Sequence, residues 1–140
     1  MTKPGILALC TGNSARSQMA EGFLRHHLGG RYEVFSAGTR PSRVRAEAIA
    51  VMREAGIDIS FHRSKSVDEF AGREFAYVIT VCDQARESCP VFPGATERIH
   101  WSFDDPAAVE GSQAEREAAF RRVRDQIGER IRSFADTING

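Results

Sequence analysis

Apolar residues along the chain alternate between short unbroken runs and longer stretches with helical spacing. The run Gly5-Ile6-Leu7-Ala8-Leu9 is uninterrupted, as expected of a strand buried on both faces. Tyr32 to Ala37 (ending at Gly38), Phe75 to Val81 and Arg98 to Trp101 read as three further strands. Between them, Met19, Phe23 and His27 mark one face of a helix stopped by Gly29-Gly30. Val44, Ala48, Val51, Met52 and Ala55 mark a second helix, closed by Gly56. Phe120, Val123, Ile127, Ile131, Phe134 and Ile138 make the closing segment a long amphipathic helix. The stretch from Cys82 to Cys89 fits either a short helix or a loop, ended by Pro90.

Strands and helices that alternate at these lengths predict an α/β fold. It should be a four-stranded parallel sheet in a three-layer αβα arrangement with right-handed crossovers. The 140 residues suit one domain spanning 1–140, and no repeat or linker divides them. In such folds ligands bind beyond the carboxyl ends of the strands, and Cys10 follows the first strand at such an end.

Charge narrows the partners. Lys plus Arg number 19 against 19 Asp plus Glu, which argues against nucleic acid or an anionic membrane as the main partner. No apolar run approaches the ~18 residues of a membrane span, and the apolar run before Cys10 is too short for a secretory signal. The expected location is cytoplasmic. There, the 3 cysteines point to catalysis, redox exchange or metal binding and not to a disulfide framework.

The segment Cys10-Thr11-Gly12-Asn13-Ser14-Ala15-Arg16-Ser17 joins a buried strand to a helix. Its small and polar residues can wrap so that successive N–H groups face inward, a nest for a tetrahedral oxyanion beside the positive end of a helix. Arg16 offers a planar fork of donors that holds two oxygens at once. Gly12 and Asn13 tolerate left-handed backbone. Cys10, at the floor, is the candidate nucleophile. The helix terminus and nearby cation should lower its thiol pKa, and Ser17 or Ser14 should donate to the sulfur.

With those residues in view, Leu9 to Gly22 closely resembles the opening of the thioredoxin-coupled arsenate reductases, which share the flavodoxin-like fold of the low-molecular-weight tyrosine phosphatases. The resemblance continues through Ser36 to Thr39, Gly56 to Ser60, Val81 to Asp83, Cys89 to Pro93 and Phe103 to Ala107. It implies reduction of arsenate to arsenite. Cys10 would attack arsenate, Cys82 would form a disulfide with Cys10, and Cys89 would then move it to Cys82–Cys89 for thioredoxin to reduce. It also implies that Asp105, before Pro106, protonates the leaving oxygen, with Asp104 as its neighbour. Phosphate or sulfate should fit the same loop. An ordered helix would hold Cys82 and Cys89 beyond disulfide reach, so their bond should require the segment to unwind.

Some members of that family hold potassium near the loop, and Asn13, Glu21 and Ser36 match part of the site. His62-Arg63-Ser64-Lys65 places basic residues where those members carry a hydroxyl and a carboxylate. The expectation is therefore no cofactor and no specific potassium. Arg63 or Lys65 would supply the charge, and Glu21 would be a helix-surface residue. The cysteine spacing is unlike that of zinc sites, so no metal is expected. Two other readings compete. A tyrosine phosphatase would use the same loop, but Ala15, Gln18 and Ala107 depart from its pattern. A redox or anion sensor would use the cysteines without turnover.

Overall fold

The computed structural model describes residues 3–94 and 96–139. Strand β1 (Gly5–Cys10) runs into helix α1 (Arg16–Leu28), then β2 (Glu33–Gly38) and α2 (Ala46–Glu54). After a 3-10 turn at Val67–Phe70 come β3 (Tyr77–Thr80), α3 (Asp83–Ser88) and β4 (Glu97–His100). A second 3-10 turn at Pro106–Ala108 leads to α4 (Gln113–Asn139). The four strands are parallel in the order β2-β1-β3-β4, the α/β architecture expected.

Every residue of β1 is buried, which is why its sequence reads as an unbroken apolar run. Strand β2 shows the two layers by alternation: Ser36 points to α1, where its hydroxyl meets Glu21, and Phe35 points the other way into Phe70 and Phe75. The buried side chains form one continuous core that includes Phe120, Val123, Ile127 and Ile131 of α4.

Several boundaries and one face differ from expectation. Helix α1 buries Met19, Ala20, Leu24 and Leu28, whereas His27 is exposed and Phe23 only half-buried. Phe23 instead covers Gly128 of α4, where an added Cβ would come within 2.8 Å of its ring. Gly22 similarly admits Met52 and Ile59 against α1. Val44 and Ala55 fall just outside α2, and β3 and β4 are shorter than or offset from the predicted strands.

Candidate active site

The register of the sheet assembles the site. Cys10 ends β1 opposite Gly38 of β2, and Leu9 lies opposite Thr80 of β3. Continued past the strands, that second pairing brings Thr11 level with Cys82, and Thr11 Oγ1 lies 3.4 Å from Cys82 Sγ. Cys10 and Cys82 are both buried, and all three cysteines are free.

The loop's carbonyls are turned outward and occupied. Those of Cys10, Thr11, Gly12 and Ser14 accept from the N–H groups of Thr39, Arg40, Ser42 and Arg45. The Asn13 carbonyl accepts from Gln18, and that of Ala15 from Met19. A loop with its carbonyls outward turns its N–H groups inward, the geometry of an anion nest. Asn13 makes the turn with φ 47°, a left-handed conformation. Gly38 permits the packing: a Cβ there would lie 2.5 Å from the Thr11 carbonyl and 2.9 Å from the Asn13 nitrogen, with no side chain able to yield.

Asn13 is also the hub of a buried network. Its Nδ2 donates to Ser17 Oγ at 2.7 Å and to Ser36 Oγ at 3.0 Å. Its Oδ1 accepts from the Lys65 N–H at 3.0 Å and from Gln18 Nε2 at 2.9 Å, so every donor and acceptor of the amide is used. Ser17 Oγ, accepting from Asn13, has its own proton available for Cys10 Sγ at 2.8 Å. The sulfur also receives the Asn13 N–H at 3.2 Å.

These donors do not decide the direction alone. Burial pushes the Cys10 thiol up, and the Ser17 hydroxyl, the Ser17 N–H and the Asn13 N–H pull against it. The lowered thiol that the sequence predicts is therefore corrected: in this loop the cost of burying a thiolate outweighs the donors. Removing a donor should raise the thiol further. Ser17→Ala, tested with serine at positions 82 and 89, is expected to slow Cys10 alkylation by iodoacetamide at neutral pH about tenfold and to move its pH profile upward. A hydrogen bond to an ionised group is worth ~1.5–3 kcal/mol. An unmoved profile would mean that the hydroxyl does not serve the thiolate.

Arg16, at the start of α1, is held over the loop by Nη1 donating to the Phe103 carbonyl at 3.1 Å. Its Nη2 stands 3.8 Å from Asp105 Oδ2, while Asp105 Oδ1 accepts the Ala107 N–H. Both Asp104 and Asp105 are exposed, and Asp105 is the one whose carboxylate faces Arg16. Cys82 and Cys89 cap the two ends of α3, resolving the open reading of that segment as a short helix. At ~1.5 Å per residue their backbones lie on the order of 10 Å apart, beyond the ~7 Å a disulfide allows. Burial pushes the Cys89 thiol up, and Arg98 opposes this.

Glu21 overturns its assignment to the surface. It is 4% exposed, and its carboxylate accepts from Ser36 Oγ at 2.6 Å. Arg25, His62 and Lys65 surround it at 2.8, 3.3 and 3.7 Å. A buried carboxylate needs such partners, and three of them come from outside its own turn. Arg63 points away, paired with Glu69. Gln18, His62 and Gly38 support the site, in roles that the sequence analysis does not assign to them. Only the sheet register and the 62–65 segment bring them to the loop. Among the described residues no group of three His, Cys, Asp or Glu converges as a metal site. No helix among them is long and apolar enough to cross a membrane.

Residues 5–140 match the family model for low molecular weight phosphotyrosine protein phosphatases. A protein of Halalkalibacterium halodurans named arsenate reductase is 48% identical over 98% of this chain and 99% of its own length. An arsenate reductase of Bacillus licheniformis is 50% identical over the same shares. Among solved structures, an arsenate reductase in the phosphate binding state superposes with TM-score 0.75 at 32% identity, covering 96% of this chain and 98% of that one. A thioredoxin-dependent arsenate reductase of Corynebacterium glutamicum superposes with TM-score 0.77 at 28% identity, covering 99% of this chain and 63% of that one. With a family model matched almost end to end, the chain belongs to the low molecular weight phosphotyrosine protein phosphatase family, and the relatives near half identity over nearly its full length are arsenate reductases.

Proposed function

We propose that the chain reduces arsenate to arsenite in the cytoplasm by a relay through its three cysteines, with thioredoxin restoring the dithiol. Arsenate sits in the Cys10–Ser17 loop, two of its oxygens on the Arg16 fork. The Cys10 thiolate attacks arsenic while Asp105 protonates the departing oxygen, which leaves as water. Cys82 then attacks the Cys10 sulfur. The sulfur–arsenic bond breaks with its electron pair on arsenic, which falls from the pentavalent to the trivalent state. Cys89 next attacks Cys82, Cys10 leaves as a thiolate, and the Cys82–Cys89 disulfide passes to thioredoxin.

The observation that carries this reading is the second buried thiol beside the oxyanion loop, with Cys82 Sγ 3.4 Å from Thr11 Oγ1. Hydrolysis of a phosphocysteine by water needs no second thiol. The reductase names of the nearly full-length relatives support the same reading. It is tested by arsenate-dependent NADPH oxidation with thioredoxin and thioredoxin reductase, with phosphate-ester hydrolysis assayed in parallel. Turnover with thioredoxin, alongside only weak hydrolysis, is the expected result. Robust hydrolysis with no arsenate turnover on any thiol donor would make the chain a phosphatase.

A potassium ion does not fit beside Glu21. The Lys65 ammonium and the Arg25 guanidinium already face the carboxylate, and a further cation would meet their charge. Burial pushes the Lys65 amine down, with Glu21 opposing. In the NADPH assay the rate is expected to be equal in potassium and choline salts at matched ionic strength. Stimulation by potassium would overturn that.

A further inference from the structure

We propose that Arg98 and His100 of β4 form a clasp on both ends of α3. It would keep the helix wound and Cys89 away from Cys82, and so set the potential of their disulfide. This rests on the relay reading above, in which that disulfide is the form handed to thioredoxin.

Helix α3 is only 6 residues long, well short of the ~12–15 that sustain a helix without tertiary support. Packing supplies little: Ala85 is its one buried residue. Beneath it lies a cavity of about 240 Å³ lined by Arg86, Cys89, Arg98 and His100 among others. The helix is tied at its ends instead. Arg98 and His100, two apart on a strand, share one face of β4. Arg98 Nη2 donates to the Pro90 carbonyl at 2.7 Å, just past Cys89. His100 Nε2 meets Asp83 Oδ1 at 2.9 Å, just past Cys82. Thr80 Oγ1, 2.7 Å from His100 Nδ1, fixes the ring from behind. A carboxylate can only accept, so Nε2 donates whether or not the imidazole is charged, and the clasp does not depend on that charge.

The two ends differ in freedom. Cys82 continues β3, where the Val81 N–H is bonded to the Leu9 carbonyl, and it touches Thr11. The Cys89 end must therefore travel when the sulfurs meet, and the Arg98–Pro90 bond lies across its path. In the exchange, the Cys89 thiol loses its proton to solvent and its sulfur attacks Cys82. The Cys82–Cys89 bond forms, the Cys10–Cys82 bond breaks, and Cys10 keeps the electron pair. Contacts that exist only in the wound dithiol form favour that form over the disulfide. Arg98 also opposes the upward push of burial on the Cys89 thiol and so acts on the rate through the thiolate. The equilibrium is therefore the cleaner readout.

The test uses the full chain carrying Cys10→Ser, so no arsenate chemistry is involved. The dithiol is equilibrated with reduced and oxidised glutathione, which exchange the electron pair and two protons with it. The Cys82–Cys89 fraction is read by thiol labelling and mass. Arg98→Ala with His100→Ala should favour the disulfide about tenfold over the parent, which is ~30 mV for a two-electron couple. Arg98→Lys and His100→Gln, which keep a donor at each end, should stay within about twofold of the parent. An unchanged potential in the double alanine variant overturns the clasp while leaving the relay standing. So does an equal shift in the conservative variants, which would trace it to general loosening. If the parent forms no Cys82–Cys89 disulfide at any glutathione ratio, the relay and the clasp fall together.

Discussion

Cys82→Ser and Cys89→Ser are each expected to bring steady-state arsenate turnover to background while leaving ester hydrolysis by Cys10 largely intact. They should stop at different places. Without Cys82 the thiol–arsenate adduct has no internal thiol to resolve it, so no arsenite appears even in a single turnover. Without Cys89 the first disulfide still forms, because Cys82 lies beside the loop at the Thr11 hydroxyl. One arsenite per chain is then released, and the protein collects as a Cys10–Cys82 disulfide, lighter by two hydrogens. Hydrolysis persists in both because the Arg16 fork, Asp105 and the Ser17 and Asn13 donors on Cys10 lie outside α3. The measurement is arsenite per chain in a single turnover, with intact mass of the product. Multiple turnovers by Cys89→Ser at the parent rate would mean that thioredoxin reduces the Cys10–Cys82 bond directly and that Cys89 is not part of the route.

Much of the loop was readable because its parts are contiguous. Cys10 to Ser17 form one segment, and the flanking apolar run and helical spacing place it at the carboxyl end of a strand. Strand β1 was unambiguous because burial on both faces leaves no polar position in it. Elements whose partners lie far along the chain were harder. The apolar spacing of α1 marks Met19, Phe23 and His27; Met19 is buried, but Ala20, Leu24 and Leu28 complete the core face, and Phe23 lies over Gly128 of α4, which makes room for its ring. Hydrophobic size is a poor guide where two backbones approach closely.

Glu21 departs from its expected surface position for a related reason. A glutamate on a helix is ordinarily solvated. Its burial becomes tolerable only because Ser36, His62 and Lys65 arrive from other elements. Gly38 stands in the sequence as the end of a strand and as part of the Ser36 to Thr39 resemblance; what neither reveals is that it lets residues 11 to 13 pack within 3 Å of where its Cβ would be. The direction of the Cys10 pKa was likewise a matter of depth. A hydroxyl donor follows from the local sequence, but the burial that pushes the thiol up against the Ser17 and Asn13 donors depends on how fully the fold closes over the sulfur.

Arg16→Lys is expected to lower arsenate turnover by about 10²–10³, the loss typical of removing one aligned oxyanion donor, or ~2.7–4 kcal/mol. The positive charge survives this change, so charge is not what is lost. The guanidinium has five N–H donors: one on Nη1 goes to the Phe103 carbonyl, which fixes the plane of the fork, Nη2 stands 3.8 Å from Asp105 Oδ2, and the remaining donors are left for the anion. That arrangement orients the anion-holding group and the acid against one another. A lysine has one rotatable ammonium and cannot hold the Phe103 carbonyl and two arsenate oxygens in one plane. The effect should fall mainly on kcat, since the transition state gathers charge on the oxygens the fork holds, while the inward N–H groups still bind the ground state. Ester hydrolysis should drop in proportion, because the phosphorus and arsenic transition states use the same fork. The measurement is the kcat and KM of both reactions for parent and variant. A loss confined to KM would make Arg16 a binding residue only, and a loss in arsenate reduction alone would place its main role later, at the disulfide step.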